Sequence, residues 1–524
     1  MDKSKIILLF HTLRYLKLKQ FYYRFYYALR NGLFKTKIGN SATCSSQQLN
    51  LCTVITAPNS YNSGAFTFLN LDHKFEEIDW NYSAYGKLWT YNLNYFDFLN
   101  QEDISKEEGV RLIEDYINNQ PCLKDGLEPY PTSLRIINWI KFLSKHKIED
   151  DKIDATLFNH LTLLNITLEY HLLGNHLLEN AFALLFGSYY FSDEKIYKKS
   201  KYLLKSELNE QILNDGAHFE LSPMYHKILL MRLLDCITLI ENNLWKKEGL
   251  LSFMRNKAEM MLGWLEQVTY KNGQVPQVND TTFDIAPKTA EILTFAKNLK
   301  LNAQTSRLSD SGYRKWTLDE MEVFMDVGQI GPDYIPGHAH ADSFNFEFYY
   351  KGTPIIVDPG ISTYDNNPRR QLERSTEYHN TIRVDEKDSS EVWGGFRVAR
   401  RAKIISLKES KNVIDATHDG YKNIGAFHSR SYHKSKYNFV IEDRVESSSG
   451  HQIESFLHFH PDCKLVISGS SIEINRELTI SLENANSIAL EDYDYSLGFN
   501  KTIKAPKIRA SVESNSKIII EILG

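Results

Sequence analysis

The densest chemistry in the sequence lies in Pro336-Gly337-His338-Ala339-His340-Ala341-Asp342. Imidazoles carry protons near neutral pH and hold divalent metals through a ring nitrogen. Asp358 follows in Val357-Asp358-Pro359-Gly360, and His379 in Tyr378-His379-Asn380-Thr381. Histidines and a carboxylate converging from adjacent strands form zinc sites with an open fourth position. Spacing alone does not make them converge. On a regular strand His338 and His340 would share a face, but Pro336-Gly337 marks a turn, so their directions stay open. The two either work together or do different jobs, and structural hydrogen bonding is the plainer reading of the set.

Two more polar clusters lie upstream. In Gly174-Asn175-His176-Leu177-Leu178-Glu179-Asn180, Asn175 and His176 precede Glu179 by four and three residues. On a helix both neighbour the carboxylate, a grouping that suits a polar ligand. The plainer reading is a helix start with Asn175 near the cap. In Asp215-Gly216-Ala217-His218-Phe219-Glu220, then Ser222-Pro223-Met224-Tyr225-His226, a Tyr follows a Pro-containing turn at a helix start. Tyr225 held there can exchange a proton if its hydroxyl is made labile.

These groups need rigid elements. From about 80 to 300 apolar residues recur at three- and four-residue intervals: Leu134, Ile137, Ile140 and Leu143; Leu161, Leu164, Leu168 and Leu172; Leu230, Leu233, Leu234, Ile237 and Ile240. Many such helices with short polar loops predict antiparallel pairs wrapped into a solenoid or toroid. Near residue 305 the period changes. Met321–Val327 and Phe344–Tyr350 alternate, with Phe344, Phe346, Phe348 and Tyr350 on one face. Short β-branched runs then continue to the end, as antiparallel sandwich sheets require. The expected fold is multidomain α+β, an incomplete (α/α) toroid followed by an antiparallel β-sandwich. Residues 1–79 read as N-terminal helices and linker, with 40–65 loop-like, 80–305 as the toroid and 306–524 as the sandwich domain.

Composition sets the outer limits. The 524 residues are 42% hydrophobic and 24% charged, ordinary for a globular chain of more than one domain. A net charge of −5 gives no global attraction to nucleic acid. Cys44, Cys52, Cys122, Cys236 and Cys463 are odd in number with no close pair, so reduced thiols are expected. No window is long and apolar enough to span a membrane, and no secretory leader is read at the start. A cytoplasmic or cytoplasmic-membrane-associated protein is therefore expected. Residues 14–37 mix Arg and Lys with Tyr and Phe, which suits either an interfacial helix on an anionic membrane or a helix packed on the main domain.

Taken in order, these clusters resemble the heparinase II/III family of polysaccharide lyases. The resemblance is strongest over 320–384, through Gly337-His338-Ala339-His340-Ala341-Asp342, a Phe-rich strand, Val357-Asp358-Pro359-Gly360, Tyr364 and Tyr378-His379-Asn380-Thr381-Ile382. Weaker matches run through Tyr225, Gly174-Asn175-His176 and Glu128-Pro129-Tyr130-Pro131-Thr132-Ser133-Leu134-Arg135. The Arg14–Arg30 region looks like the subset associated with surface-polysaccharide gene clusters. The resemblance implies the same toroid and sandwich. It also implies β-elimination at a uronic acid of an acidic polysaccharide, with no organic cofactor.

Such a reaction needs the sugar carboxylate neutralised, a base for the C5 proton and an acid for the leaving oxygen. By matching motifs Tyr225 is base, acid or both. His338 is the second acid–base group or a carboxylate neutraliser, and Asn175 with His176 neutralises the carboxylate. Arg135 and Glu179 become substrate contacts, as do His428 and Arg430 of Phe427-His428-Ser429-Arg430. His340, Asp358 and His379 match positions that hold a structural Zn2+ in some relatives. Two other readings stay open: a non-catalytic glycan-binding or surface-polysaccharide assembly protein, and a glycoside hydrolase using two of Glu179, Glu220 and Asp280.

Overall fold

A computed structural model describes residues 3–33, 45–51, 55–246 and 249–523. Among the described residues eleven α-helices precede the two large sheets: α1 Lys3–Leu13, α2 Leu18–Leu33, α3 Lys87–Tyr95, α4 Lys106–Asn119, α5 Pro129–His146, α6 Asp151–Thr167, α7 Gly174–Tyr190, α8 Glu194–Gln211, α9 Pro223–Asn242, α10 Leu250–Val268 and α11 Thr289–Asn298. Local chemistry sets several starts. Ser105, Asp150, Asp193 and Ser222 accept backbone N–H bonds at the first turns of α4, α6, α8 and α9, which satisfies donors the helix itself leaves free.

Helix α7 packs against α5, α6, α8 and α9. It is buried at every residue from Leu177 to Tyr190, so it is apolar all round rather than striped. The predicted stripes on α5 and α9 are buried. The stripe begun by Leu161 and Leu164 runs past its helix: α6 ends at Thr167, and Leu172 is half-buried in the following loop.

After α11 the chain changes to strands. Tyr313–Leu318, Met321–Asp326, Phe346–Tyr350 and Thr353–Ile356 form a four-stranded antiparallel sheet in sequence order. A ten-stranded sheet faces it, its centre built on the long strands Leu478–Gly498 and Lys501–Ile522. Phe346, Phe348 and Val323 of one sheet share a core with Phe439, Ile441 and Ile518 of the other. Phe344 belongs to that core too, but its φ of 67° puts it outside the strand. Both faces of Phe346–Tyr350 are buried, because Glu347 and Tyr349 point to the helical side, where Tyr270 donates to Glu347 and stacks on Tyr349.

A short helix, α12 (Pro368–Glu373), follows Thr353–Ile356 in the chain and precedes strand Ile382–Val384 of the larger sheet. The stretch expected to be loop-like before residue 65 in part forms strands: Tyr61–Asn62 pairs with Ala65–Phe68, which pairs with Leu71–Lys74. Phe66 and Phe68 anchor this small sheet on Phe98 and Trp89. Cys44 and Cys52 lie outside the described residues; Cys122, Cys236 and Cys463 are free thiols.

Candidate active site

The start of α7, the start of α9 and the loop 336–342 meet where the toroid touches the sandwich. Asn175 enters at the first turn of α7. Its backbone N–H donates to Glu220 Oε1 at 2.9 Å and its Nδ2 to Glu220 Oε2 at 2.6 Å. Gly174 permits this approach. Its φ is +58°, and a Cβ there would sit 2.5 Å from Glu220 Oε1, so any other residue would push the carboxylate away. Tyr225 lies on the first turn of α9, fixed by the Ser222 cap and Pro223.

His338 sits between these helices, with its side chain 11% exposed. Its Nδ1 is 2.8 Å from Asp280 Oδ2. Its Nε2 is 3.3 Å from Glu220 Oε2 and 3.5 Å from Asn175 Nδ2. Its ring lies 4.0 Å from that of Tyr225, centroid to centroid, and the Tyr225 hydroxyl is 3.1 Å from that of Tyr364. Asp280 is the hub. It also accepts His340 Nε2 at 2.9 Å and both arms of Arg370 at 2.5 and 2.7 Å. Burial opposes its charge, but Arg370 and the two histidines outweigh it and hold the carboxyl well below the usual range. Asp280 is thus a fixed negative charge orienting His338, not a proton donor.

The loop carrying His338 has no strand to hold it. Arg374 clamps it by donating to Ala339 O at 2.9 Å and to Gly395 O at 2.8 Å. Gly394 and Gly395 both have positive φ, and the turn they make presents Phe396, 43% exposed, at the edge of His338 and Tyr364. On the other side, His176 packs on Tyr130 at 4.7 Å and contacts Glu169 through Nδ1 at 3.1 Å. Burial works against charge on His176, yet the carboxylates of Glu169, Glu220 and Glu179 together raise its pKa. Burial pushes the hydroxyls of Tyr225, Tyr364 and Tyr130 well above the ordinary phenol value, with nearby carboxylates adding to the effect. All three stand as neutral phenols at neutral pH.

Tyr225, His338, Asn175 and His176 are therefore brought to one partly open surface. Four other expected contacts are not. Arg135 is fully buried, with its guanidinium donating to Asn94 O, Gly126 O and Thr132 Oγ1; it ties α5 to the end of α3 and to the loop before α5. Glu179 is buried against Arg232 at 2.8 Å. His428 and Arg430 both bond Asp443 inside the sandwich, and Arg430 also donates to Phe344 O and Asn380 O. These are corrections with one cause. A charged residue in a motif reads the same whether it faces a ligand or an internal partner. Arg370, Phe396 and the orienting roles of Asp280 and Glu220 had no sequence signal tying them to His338. Tyr364 was visible only as part of the family pattern.

His379 Nδ1 bonds Asp358 Oδ2 at 2.7 Å, which also accepts Asn345 Nδ2 at 2.6 Å. The rings of His340 and His379 lie 5.2 Å apart. His340 Nδ1, His379 Nε2 and Asp342 Oδ2 are buried without a hydrogen-bond partner. Each histidine thus has one nitrogen oriented by a carboxylate and the other unpaired, the donor chemistry a divalent cation takes up. Among the described residues, no three His, Cys, Asp or Glu side chains are gathered into a metal centre by position alone.

A toroid, a sandwich and a Tyr–His–Asn surface between them define a known class. Residues 132–305 match the heparinase II/III N-terminus and residues 301–522 the heparinase II/III-like C-terminal domain. The chain belongs to the heparinase II/III family. It is 22% identical over 321 residues to a heparin-sulfate lyase of Bacteroides stercoris, covering 56% of this chain and 46% of that one. It is 24% identical over 307 residues to the heparin-sulfate lyase of Pedobacter heparinus, covering 53% and 45%. The chain spans about half the length of these relatives. A crystal structure of heparinase III superposes with a TM-score of 0.68 at 16% identity, covering 92% of this chain and 87% of that one, which establishes the incomplete toroid-plus-sandwich fold.

Proposed function

We propose that the protein is a polysaccharide lyase, a carbon–oxygen lyase that cleaves a uronic-acid-containing acidic glycan by β-elimination. The observation that carries this reading is the convergence of the Tyr225 hydroxyl, the His338 imidazole and the Asn175 amide on one surface. Elimination needs two proton transfers and a neutralised carboxylate, and these residue types supply them. Tyr225, kept protonated, has a proton to give to the leaving oxygen on C4, whose alkoxide is the stronger base. His338, its Nδ1 fixed by Asp280, takes the proton from C5. Asn175 gives one Nδ2 hydrogen to Glu220, and the other, which meets His338 Nε2 only at 3.5 Å, can turn to the sugar carboxylate, with His176 beside it. Phe396 offers an exposed ring against which a sugar face can stack.

The hydrolase reading loses support. Glu179 is committed to Arg232, Glu220 to Asn175, and Asp280 to Arg370, so none of the three is a free acid facing a glycosidic bond. A structural Zn2+, where bound, would draw on the unpaired ring nitrogens of His340 and His379; Asp358, expected as a third ligand, is instead committed to His379 Nδ1 and Asn345 and would orient His379. It would cross-link the loop 336–342 to the segment after α12. Metal analysis of purified protein, with melting followed on chelation, tests this directly.

The lyase reading is tested by ultraviolet absorbance of the unsaturated uronate on a panel of acidic glycans. Absorbance that disappears in Tyr225→Phe and His338→Ala supports it. New reducing ends without absorbance would replace it with hydrolysis. Glycan binding with neither signal would replace it with a binding or assembly role. A substrate with a more acidic leaving group at C4 should restore turnover to Tyr225→Phe and not to His338→Ala, which separates the two proton transfers.

A further inference from the structure

Helices α1 and α2 carry chemistry that the cleft does not use. Helix α2 has two opposite faces. One is anchored to the toroid: Gln20 is buried and donates to Leu172 O and Tyr334 O, Tyr27 donates to Leu168 O, and Arg30 donates to Ile166 O at 2.6 Å. At 100° per residue these positions define one side of the helix. Leu18, Tyr22, Phe25 and Leu29 define the other, and all are exposed, Leu18 by 87% and Phe25 by 66%. Ile6, Ile7 and Phe10 of α1 are exposed as well. Nine of the 24 large apolar side chains exposed on the described residues fall between Ile6 and Leu29, so the protein's uncovered apolar surface is concentrated here.

Charge says what covers it. Residues 3–33 hold seven Lys and Arg and no Asp or Glu, in a chain whose net charge is −5; Lys17, Lys19, Arg24 and Arg30 turn to Glu210, Tyr170, His171 O and Ile166 O of the toroid, and Lys5 and Arg14 stay exposed beside the apolar face. A second copy of the same face would bring like charges together. An acidic polysaccharide would satisfy the cations but would leave Leu18, Phe25 and Leu29 in water. An anionic bilayer takes both, with aromatic and aliphatic side chains in the headgroup–acyl boundary and Lys and Arg against lipid phosphates. No helix among the described residues is long and apolar enough to cross a membrane, so the attachment is peripheral.

We propose that the outward face of α1 and α2 docks this protein on an anionic lipid bilayer. The docked helices also reach the cleft mouth. Trp393 Nε1 donates to Thr12 Oγ1 at 3.1 Å, and the Arg401 guanidinium lies 3.8 Å over the Tyr15 ring. Trp393 belongs to the hairpin whose turn presents Phe396. Docking therefore holds the cleft mouth beside the membrane, where a lipid-linked or membrane-emerging glycan would be met.

The test is co-sedimentation of the full chain with phosphatidylcholine vesicles, with and without phosphatidylglycerol. Pelleting only with the anionic vesicles, reversed by high salt, is expected. Phe25→Ser/Leu29→Ser and Lys5→Glu/Arg14→Glu should each weaken it at least tenfold, with melting temperature unchanged because all four side chains are exposed. Vesicle binding indifferent to both variants would overturn the proposal. So would no vesicle binding with salt-sensitive capture on heparin beads lost in Lys5→Glu/Arg14→Glu, which would assign the face to glycan. Self-association that vanishes in Phe25→Ser/Leu29→Ser would assign it to a second copy.

Discussion

Two buried His–Asp–Arg clusters lie among the described residues, one at the toroid–sandwich junction and one inside the sandwich. In the first, Asp280 holds His338, His340 and Arg370. In the second, Asp443 holds His428 and Arg430. In each, an Arg takes the Asp with two nitrogens, and in each the carboxyl is depressed despite burial, Asp443 to about 2. The difference is the far side of the histidine. His428 meets His418 at 3.1 Å within a sealed core, whereas His338 meets Tyr225, Asn175 and partial solvent. The same ion pair is a staple in one place and the mount for a proton carrier in the other.

The sharpest way to break this comparison is at the carriers. Tyr225→Phe and His338→Ala should each lower elimination by ~10²–10⁴-fold, the usual span of a lost acid–base group, with melting temperature nearly unchanged. If either variant unfolds instead, the junction cluster is a staple like the other. Arg430→Ala should do the reverse. It strands Asp443 in the core and should cost ~3–5 kcal/mol of stability, read by denaturant unfolding, while the protein that stays folded keeps its specific activity.

Arg370→Lys sits between these extremes. Lysine cannot reproduce two parallel bonds to Asp280, so His338 loses its fixed orientation. A fall in kcat of about tenfold, with a shifted pH profile and little change in KM, is expected if Arg370 acts through His338; a change in KM alone would make it a substrate contact. Phe396→Ala should raise KM several-fold and leave kcat nearly intact, since stacking is worth about 1 kcal/mol.

A separate, pH-dependent effect concerns a third buried acid, Glu347, which Tyr270 and two backbone N–H groups bond instead of a cation. Burial raises its pKa from 4.5 to about 8, with Asp358 adding to the rise. A raised folded pKa gives stability that is full below the unfolded value and lost as pH rises through the folded one. Stability should therefore decline as pH rises from about 4.5 to 8, and Glu347→Gln should flatten that slope in a melting series. Asp443 has the opposite sign: its contribution holds above its ordinary value of 3.8 and is lost as pH falls through about 2.

Much of this was legible in the order of residues. The change of period near residue 305 separated helices from strands, because 3.6- and two-residue spacings answer to different backbones. Tyr225, His338, Asn175 and His176 were legible through their motifs and do meet. Position along the chain could not say which charges face inward. Arg135, Glu179, His428 and Arg430 have partners 41 residues or 53 residues away, or on a neighbouring strand. Arg370 reaches Asp280 across 90 residues. The sequence by itself determined where the helical part gives way to strands and which side chains can move protons. Tertiary structure alone decided which buried ion pair opens onto a cleft, because a carboxylate must find its cation wherever folding removes both from water.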